Sequence, residues 1–416
     1  MGRRAKRALG DRRKWTVDLA HVVRAGYPQR PADRPRELAE FIAACEIFRH
    51  AMRDPDGPPK VKVWMAAPTE MGPKPWPVPD IGDLAVLATW LGVTPGHLHW
   101  FADRRSMERT VGDEALRHYS RHWMRKPDGS ARLLEAPKIE LKDLQRQVLH
   151  QVLDIIPAHR NAHGFRPGRS VRTAAAQHHR QAVVMRLDLE TFFSSIDVGR
   201  VYGIFRLAGY PENVAHTLAG LCTTVTPPAV LRAAPDVPNA LVDTRRRMLH
   251  RLRSPHLAQG SPTSPALANL VAFRLDRRMS GLADTLGARY TRYADDLILS
   301  GSRHLVRSSR SIVRLVEAIA IDEGFTVHPL KTRVFTAAQR QTVTGLVVND
   351  RSNMARPDYD KLRAILHHAA IDGPDVANRE RHPDFRSHLL GRIAWAAAEN
   401  PRRAAKLQQA FATIDW

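Results

Sequence analysis

Three carboxylates in this chain have a spacing that could support metal chemistry. Asp295 and Asp296 are adjacent and lie between two short apolar, β-prone segments, which predicts a β-hairpin with acids at its turn. Asp188 ends a third apolar segment, 183–188, which predicts a buried strand. Neighbouring carboxylates repel each other, and a bound divalent cation would offset that cost. The alternative for the Asp-Asp pair is a salt-bridged turn without a metal ion.

A further motif lies between these acids. Residues 259–265 read Gln-Gly-Ser-Pro-Thr-Ser-Pro. With Asp188 before it and Asp295-Asp296 after it, the order of motifs resembles that of the reverse transcriptases. The resemblance implies that Asp188 is the first metal-binding aspartate of a polymerase palm and that Asp295-Asp296 is its second acidic motif. It also implies that Gln259 and Gly260 shape the pocket for the nucleotide and the template.

Two details are similar to the bacterial retron type. Val343-Thr344-Gly345 matches a triplet of the retron enzymes. The segment 168–178 resembles the retron Asn-Ala-x-x-His pattern, with Ala174 at the position of the Asn and with Ala175 and His178 matching. The resemblance implies an RNA-directed DNA polymerase that copies a cognate structured noncoding RNA into RNA-linked single-stranded DNA. A role in anti-phage defence with an effector protein is expected.

Phosphodiester synthesis of this kind uses two Mg²⁺ ions, which stabilise charge on the attacking and leaving oxygens. We expect Asp188 and Asp295 to bind the ions, because Mg²⁺ prefers oxygen ligands, and Asp296 to act as a supporting ligand or to tune the site. The resemblance implies one more ligand, the backbone carbonyl of Leu189.

The incoming deoxynucleoside triphosphate needs cations at its phosphates, and Arg132 and Lys126 are the candidates, in that order. The alternative is that both are solvated charges of a hairpin. Lys331 is a candidate for neutralising the departing pyrophosphate, although it could also be a surface lysine. The resemblance implies that Phe193 blocks a ribose 2′-hydroxyl and selects deoxynucleotides, whereas Phe192 is expected in the core.

A formal net charge of +22 indicates a polyanionic partner, of which nucleic acid is the foremost. The residues expected to contact nucleic acid are Arg166 and Arg169 at template phosphates, Tyr293 under the primer end, and Arg245, Arg246 and Arg247 of a basic insertion. His163, His178 and His179 are expected to be structural or to contact phosphate.

The chain has 416 residues, of which 43% are hydrophobic, enough for two or three subdomains. Two cysteines, Cys45 and Cys222, give no disulfide framework, which favours a reducing, bacterial cytoplasmic setting. No secretory signal and no apolar run long enough for a bilayer is found. The oligomeric state is not predicted.

The predicted fold class is α+β, a right-hand polymerase fold of fingers, palm and thumb with an antiparallel palm sheet and a helical N-terminal extension. The predicted parts are a basic tail with helices (1–54), a Pro-rich linker (55–80), a short helical element (81–114), fingers (115–182), a palm with a basic insertion at 226–258 (183–350), and a helical thumb (351–416). One further strand is expected over 342–349.

Other readings remain. A defence reverse transcriptase outside the retrons, or an enzyme similar to those of group II introns, would share the same motifs. A non-catalytic RNA-binding protein with the polymerase fold would be expected to have lost one of the three aspartates, and all three are present.

Overall fold

The structure is a computed structural model that describes residue 9 and residues 14–27, 35–54, 58–59 and 70–416. Much of the predicted basic tail and of the Pro-rich linker lies outside these residues. None of the described helices is long and apolar enough to cross a membrane. The two cysteines, Cys45 and Cys222, are free thiols.

Helices provide most of the described secondary structure. In chain order they are α1 (Lys14–Gly26), α2 (Pro35–Ala44), α3 (Glu46–Met52), α4 (Leu84–Leu91), α5 (Pro95–Ala102), α6 (Ile139–Gln151), α7 (Val171–Ala176), α8 (Val198–Leu207), α9 (Glu212–Cys222), α10 (Pro228–Arg232), α11 (Val242–Leu252), α12 (Ser264–Val271), α13 (Phe273–Thr285), α14 (His304–Asp322), α15 (Arg356–Ile371), α16 (Pro374–Ala377), α17 (Phe385–Glu399) and α18 (Pro401–Ala412).

The strands form antiparallel sheets. They are β1 (Tyr119–Arg125), β2 (Ala131–Pro137), β3 (Val183–Asp188), β4 (Arg289–Tyr293), β5 (Asp296–Gly301), β6 (Arg333–Thr336), β7 (Thr342–Val343) and β8 (Leu346–Val347). β1 and β2 pair, as do β7 and β8, and the four-stranded sheet has the order β4-β5-β3-β6. The predicted α+β class with antiparallel sheets is therefore confirmed.

The chain divides into two compact units, with α12 spanning one boundary between them. Unit 1 comprises residues 1–157 and 196–267, and unit 2 comprises 158–195 and 268–416. In unit 1, the β1–β2 hairpin packs on the basic insertion: Leu133 of β2 shares a buried cluster with Met248 and Leu252 of α11. Helix α9 packs closely on α5, because a Cβ at Gly220 would lie 2.1 Å from the carbonyl oxygen of Ala102.

Unit 2 contains the four-stranded sheet, whose middle strand β3 is buried apart from the half-buried Arg186. A second hydrophobic cluster in this unit joins the C-terminal helices, with Leu362 and Leu366 of α15 against Leu389 and Ile393 of α17 and Leu407 of α18. The amphipathic spacing of these helices is what brings their apolar faces together.

The prediction of one strand over 342–349 is wrong. Thr344 and Gly345 have positive φ values of 48° and 88°, so the chain reverses between β7 and β8 and makes a tight hairpin. Two residues in the left-handed region are what a two-residue hairpin turn requires. Strand β6, at the edge of the larger sheet, was not predicted, because its four residues, Arg-Val-Phe-Thr, include only two apolar ones.

Candidate active site

The hairpin β4–β5 presents the two adjacent aspartates at a two-residue turn. Tyr293 and Asp296 are register partners, so Ala294 and Asp295 are the two turn residues. Ala294 has φ +55°, a left-handed conformation that costs roughly 1–2 kcal/mol for a residue with a Cβ. Surrounding contacts must therefore hold the turn in its conformation.

Strand β3 brings the third aspartate to the same end of the sheet. Asp188 is the register partner of Asp296. The N–H of Leu189 donates to the backbone carbonyl of Asp295 at 2.9 Å, and the N–H of His328 donates to that of Asp188 at 2.7 Å. Asp188, which is far from the Asp295-Asp296 pair in the sequence, is thus its neighbour in unit 2.

Two cations face these three carboxylates. Arg186, two residues before Asp188 on β3, donates to both oxygens of Asp296 at 3.0 and 3.1 Å. The ammonium of Lys331 lies 3.2 and 3.4 Å from the two oxygens of Asp188. Asp295 has no ion-pair partner among the described residues.

The electrostatics reflect this shortage of positive charge. Burial raises the pKa of Asp295, and the negative charges of Asp188 and Asp296 raise it further, to about 6. Burial also raises the pKa of Asp296, although Arg186 opposes the shift. A set of oxygen donors with one uncompensated negative charge fits a hard divalent cation such as Mg²⁺.

Aromatic rings lie next to this cluster in unit 2. Phe193 is half-buried, with its ring centroid 6.2 Å from that of Phe165, which in turn lies 6.3 Å from Tyr293. Phe192 is 4% exposed and packs on Phe325 at 5.6 Å, which agrees with its predicted place in the core.

The loop at 163–170 in unit 2 carries Arg166 and Arg169, and these two arginines have different environments. One guanidinium nitrogen of Arg166 donates to the carbonyls of His159 and Ala162, at 2.8 and 3.1 Å, so this side chain ties the loop together. Arg169 is exposed.

The residues that carry the retron-like patterns are buried, apart from Thr344 and Gly345. Ala174, Ala175 and His178 are all 0% exposed. Ala175 packs in one cluster with Val343 and Leu346, against Val184 of β3 and Ile298 of β5. The imidazole of His178 bonds Ser300 and Thr291 on strands β5 and β4, at 2.6 and 2.7 Å. The residue at 174 therefore faces the protein interior and not a ligand, and both segments support the sheet that carries the aspartates.

The other predicted site residues belong to unit 1. Arg132 and Lys126 are half-buried on the β1–β2 hairpin, where Arg132 pairs in register with Met124. The carbonyl of Gln259 accepts the N–H of Glu135 at 2.9 Å. Gly260 has φ +136°, and a Cβ there would lie 3.0 Å from the carbonyl oxygen of Glu135, so only glycine allows this approach.

The predicted arginine cluster of α11 divides between two environments. Arg245 donates to the carbonyls of Pro235 and Ala234 and lines a cavity of about 580 Å³. Three further arginines line the same cavity: Arg109, Arg232 and Arg253. Arg246 lies 3.4 Å from Asp243 on the exposed face of the helix, and Arg247 bonds Thr244.

A different group in unit 1 also has the residue types of a metal site. Asp103, Glu108 and His118 have ligand atoms within 4.8 Å of one another. Both oxygens of Glu108 are bonded to Arg121, however, and those of Asp103 accept the N–H groups of Met107 and Glu108. These carboxylates are already compensated, so the group is an ion-pair network and we assign no metal to it.

Sequence reasoning missed several residues that hold the site. Arg186 was overlooked, although its spacing of two residues from Asp188 places both on one face of β3. Arg292 and its partner Asp276, both 0% exposed, were also missed. For Arg186, a charged residue within an otherwise apolar segment was the available signal. Strand β4 reads Arg-Tyr-Thr-Arg-Tyr and gave no such signal for Arg292.

Comparisons with known proteins agree with this geometry. The family described as "Reverse transcriptase (RNA-dependent DNA polymerase)" matches residues 124–349, more than half of the chain. The chain belongs to the reverse transcriptase family. The retron Mx65 reverse transcriptase of Myxococcus xanthus is 39% identical over 322 residues, which cover 77% of this chain and 69% of the relative.

More distant relatives carry similar names. The retron Mx162 reverse transcriptase of the same organism is 37% identical, covering 78% of this chain and 65% of the relative. The retron Ec86 reverse transcriptase of Escherichia coli is 30% identical, covering 58% of this chain and 66% of the relative. The matches thus span about two thirds of each relative's length. The chain is a bacterial retron-type reverse transcriptase, and hence an RNA-directed DNA polymerase.

Proposed function

We propose that this reverse transcriptase copies a cognate structured noncoding RNA into single-stranded DNA that stays linked to the RNA, by two-metal nucleotidyl transfer. The observation that carries the proposal is the group of three carboxylates, Asp188, Asp295 and Asp296, with which Arg186 and Lys331 are the cations that form ion pairs among the described residues. An excess of negative charge at the end of a buried sheet is what a pair of Mg²⁺ ions would neutralise.

In this mechanism Asp188 and Asp295 are the metal ligands, with the carbonyl of Leu189 as an additional one. Asp296 is a supporting residue, because Arg186 already occupies both of its oxygens. When bound, the two ions stabilise charge on the attacking 3′-oxygen and on the leaving pyrophosphate. Lys331, whose ammonium bonds Asp188, would supply positive charge for the departing pyrophosphate.

The remaining roles follow from the residue chemistry. The guanidinium of Arg132 donates hydrogen bonds to two phosphate oxygens at once. The ammonium of Lys126 adds a compact positive charge beside the phosphates. Gln259 contacts the base or the template sugar through its side-chain amide. Gly260 has no side chain and therefore allows the backbone to approach closely. Phe193 fills the space of a ribose 2′-hydroxyl and thereby selects deoxynucleotides.

Nucleic acid is bound by basic side chains of both units. Arg166 and Arg169 contact template phosphates, Tyr293 packs under the primer end, and Arg245, Arg246 and Arg247 contact the RNA beside an arginine-lined cavity. The net charge of +22 supports this partner. In this proposal residues 115–182, 183–350 and 351–416 act as the fingers, the palm and the thumb.

The biological setting is proposed from the retron relatives. The enzyme would act in the bacterial cytoplasm, where free thiols such as Cys45 and Cys222 persist. It would form part of an anti-phage system together with an effector protein. Plaque counts on cells with the complete locus, against cells with the Asp295→Asn enzyme, test this role: equal plating would argue against it.

Replacing Asp295 by Asn tests the mechanism. We expect incorporation of labelled deoxynucleotides to fall at least about a hundredfold while RNA binding is retained, because one metal ligand loses its charge. Asp284→Asn, at an exposed position of α13, is the matched control. Synthesis at the wild-type rate by the Asp295 variant would contradict the two-metal assignment.

A second experiment tests the template. Purified enzyme is incubated with the RNA encoded beside its gene and labelled deoxynucleotides, and in parallel with a generic primer–template. Extension on the neighbouring RNA, with DNA linked to it, is expected. Extension on the generic substrate alone would favour a defence enzyme outside the retrons or one similar to those of group II introns.

A further inference from the structure

A buried ion pair lies directly behind the turn that carries Asp295. Arg292 of β4 and Asp276 of α13 are both 0% exposed. Nε and Nη2 of Arg292 donate to the two oxygens of Asp276 at 2.8 and 2.7 Å, and the hydroxyl of Tyr290 donates to one of them at 2.7 Å. A carboxylate and a guanidinium that face each other in this two-pronged geometry fix each other's orientation as well as their charge.

The remaining guanidinium nitrogen is directed at the turn itself. Nη1 of Arg292 donates to the backbone carbonyl of Ala294 at 3.1 Å and to the side-chain oxygen of Asn269 at 3.0 Å. Ala294 is the turn residue with positive φ, adjacent to Asp295. This hydrogen bond therefore holds the peptide group whose orientation sets the direction of the Asp295 side chain.

The same turn is also held from its other side. The amide of Asn269 donates to the carbonyl of Gly164 at 2.9 Å, and a Cβ at Gly164 would lie 2.8 Å from the backbone nitrogen of Ala294. Strand β4 is fixed to this loop as well, since the N–H of His163 donates to the carbonyl of Arg292 at 2.7 Å. The turn is thus enclosed between a loop and a guanidinium, and its backbone has little freedom.

Arg292 also reaches the aromatic pair beside the site. Its guanidinium carbon lies 5.7 Å from the ring centroid of Phe192, whose neighbour Phe193 is the proposed sugar-sensing residue. One side chain thus contacts both the aspartate turn and the segment after Asp188.

We propose that Arg292, fixed by Asp276, is a positioning residue that sets the Ala294–Asp295 peptide in the orientation needed for metal binding. The inference rests on the proposed two-metal function. Arg292 does not contact the substrate or the metal ions in this account, and it acts through the backbone of the turn.

Arg292→Lys is the principal test, because lysine keeps the charge and loses the planar fork that bonds Asp276, Asn269 and Ala294 together. Binding of Mn²⁺, used as a probe for Mg²⁺, is measured from the electron paramagnetic resonance signal of the free ion, without substrates. We expect the affinity for Mn²⁺ to fall about tenfold, as is typical when a group that orients a metal ligand is replaced. The Mg²⁺ concentration for half-maximal synthesis should rise in parallel.

Arg289→Lys, at an exposed position of the same strand, is the control and should leave both values unchanged. Tyr290→Phe removes only the hydroxyl that bonds Asp276, and it should weaken Mn²⁺ binding in a folded protein, by a smaller factor than Arg292→Lys, because it loosens only the carboxylate that orients Arg292. If Arg292→Lys does not fold, the Mn²⁺ affinity of Tyr290→Phe tests the inference in its place. Wild-type Mn²⁺ affinity in whichever folded variant is measured would overturn the inference.

The Asp295→Asn variant separates this inference from the proposed function. Loss of Mn²⁺ binding and of synthesis in Asp295→Asn, together with wild-type values in Arg292→Lys, would overturn only the positioning role. Full synthesis by Asp295→Asn would remove the two-metal proposal on which the inference depends.

Discussion

Two buried groups of carboxylates in this protein have opposite electrostatics. In unit 1, Glu135 is 1% exposed, and burial alone would raise its pKa, but His256, Arg121 and Thr226 lower it to about 2. In unit 2, burial raises the pKa of Asp295 and its two acidic neighbours raise it further, to about 6. The buried carboxylate of Glu135 in unit 1 is thus compensated by its neighbours, whereas that of Asp295 in unit 2 is under-compensated.

The difference separates a structural role from a chemical one. The Glu135 network joins the β1–β2 hairpin to the segment at 224–256: Arg121 bonds Glu108 and Glu135 at 3.0 and 3.1 Å, and His256 bonds Glu135 at 2.8 Å. Within the part of the chain that the structure describes, the aspartate group has no comparable set of partners, although Arg292 and Asp276 lie nearby and compensate each other. Unfavourable charge that the fold could have neutralised is a sign of a ligand site.

Removing Arg121 should have the largest effect on stability. Arg121→Ala leaves Glu108 and Glu135 buried without their guanidinium, and breaking such a network costs about 3–5 kcal/mol of unfolding free energy. Urea denaturation measures the loss, with Arg125→Ala on the exposed side of the same strand as the control. A loss below about 1 kcal/mol would mean that the network is not the structural counterpart of the aspartate group.

His178 shows how burial changes the pKa of a side chain whose hydrogen-bond partners are hydroxyl groups. Burial, with smaller contributions from His163, Arg289 and His179, lowers its pKa from 6.5 to about 3. The folded protein therefore binds this proton only at low pH, whereas the unfolded chain binds it below about pH 6.5. Stability should be fully present above pH 6.5 and should fall as the pH decreases towards 3.

Lowering the pH from 6.5 to 5 should reduce the free energy of unfolding by about 2 kcal/mol through His178 alone, at roughly 1.4 kcal/mol per pH unit. Urea denaturation at both pH values, on the wild type and on His178→Gln, isolates the contribution. Equal pH slopes in the two proteins would contradict the neutral, buried state of this histidine.

Neutralising one of the catalytic acids should have the smallest effect on stability, and it should stabilise the protein. Asp295→Asn removes the carboxylate that Asp188 and Asp296 repel, so in metal-free buffer the unfolding free energy should rise by about 1 kcal/mol. Added Mg²⁺ should stabilise the wild type more than the variant. Destabilisation of the variant in metal-free buffer would place Asp295 among the compensated carboxylates and would remove the contrast between the two groups.

The sequence predicted those parts of the site that depend on local pattern. The apolar run at 183–188 and the alternation around Asp295 located β3 and the β4–β5 hairpin, and the antiparallel register then brought Asp188 opposite Asp296. The partners of the aspartates were not predicted, because Lys331 and Asp188 are 143 residues apart and no local pattern pairs them.

Turn conformations and buried arginines were harder still. The strand expected at 342–349 reverses at Thr344 and Gly345, where the apolar alternation resembles that of a continuous strand. Arg292 reads as a solvated charge in a sequence, since arginine is seldom fully buried unless it is paired, and its partner Asp276 lies on a different element.

A direct measurement of metal binding shows whether the three aspartates form an under-compensated cation site. Mn²⁺ titration of the substrate-free enzyme, followed by the resonance signal of the free ion and by competition with Mg²⁺, should reveal binding that Asp188→Asn weakens more than about tenfold. Asp103→Asn, in the compensated group of unit 1, should bind Mn²⁺ like the wild type. Unchanged affinity in Asp188→Asn, or a loss in Asp103→Asn instead, would contradict the account.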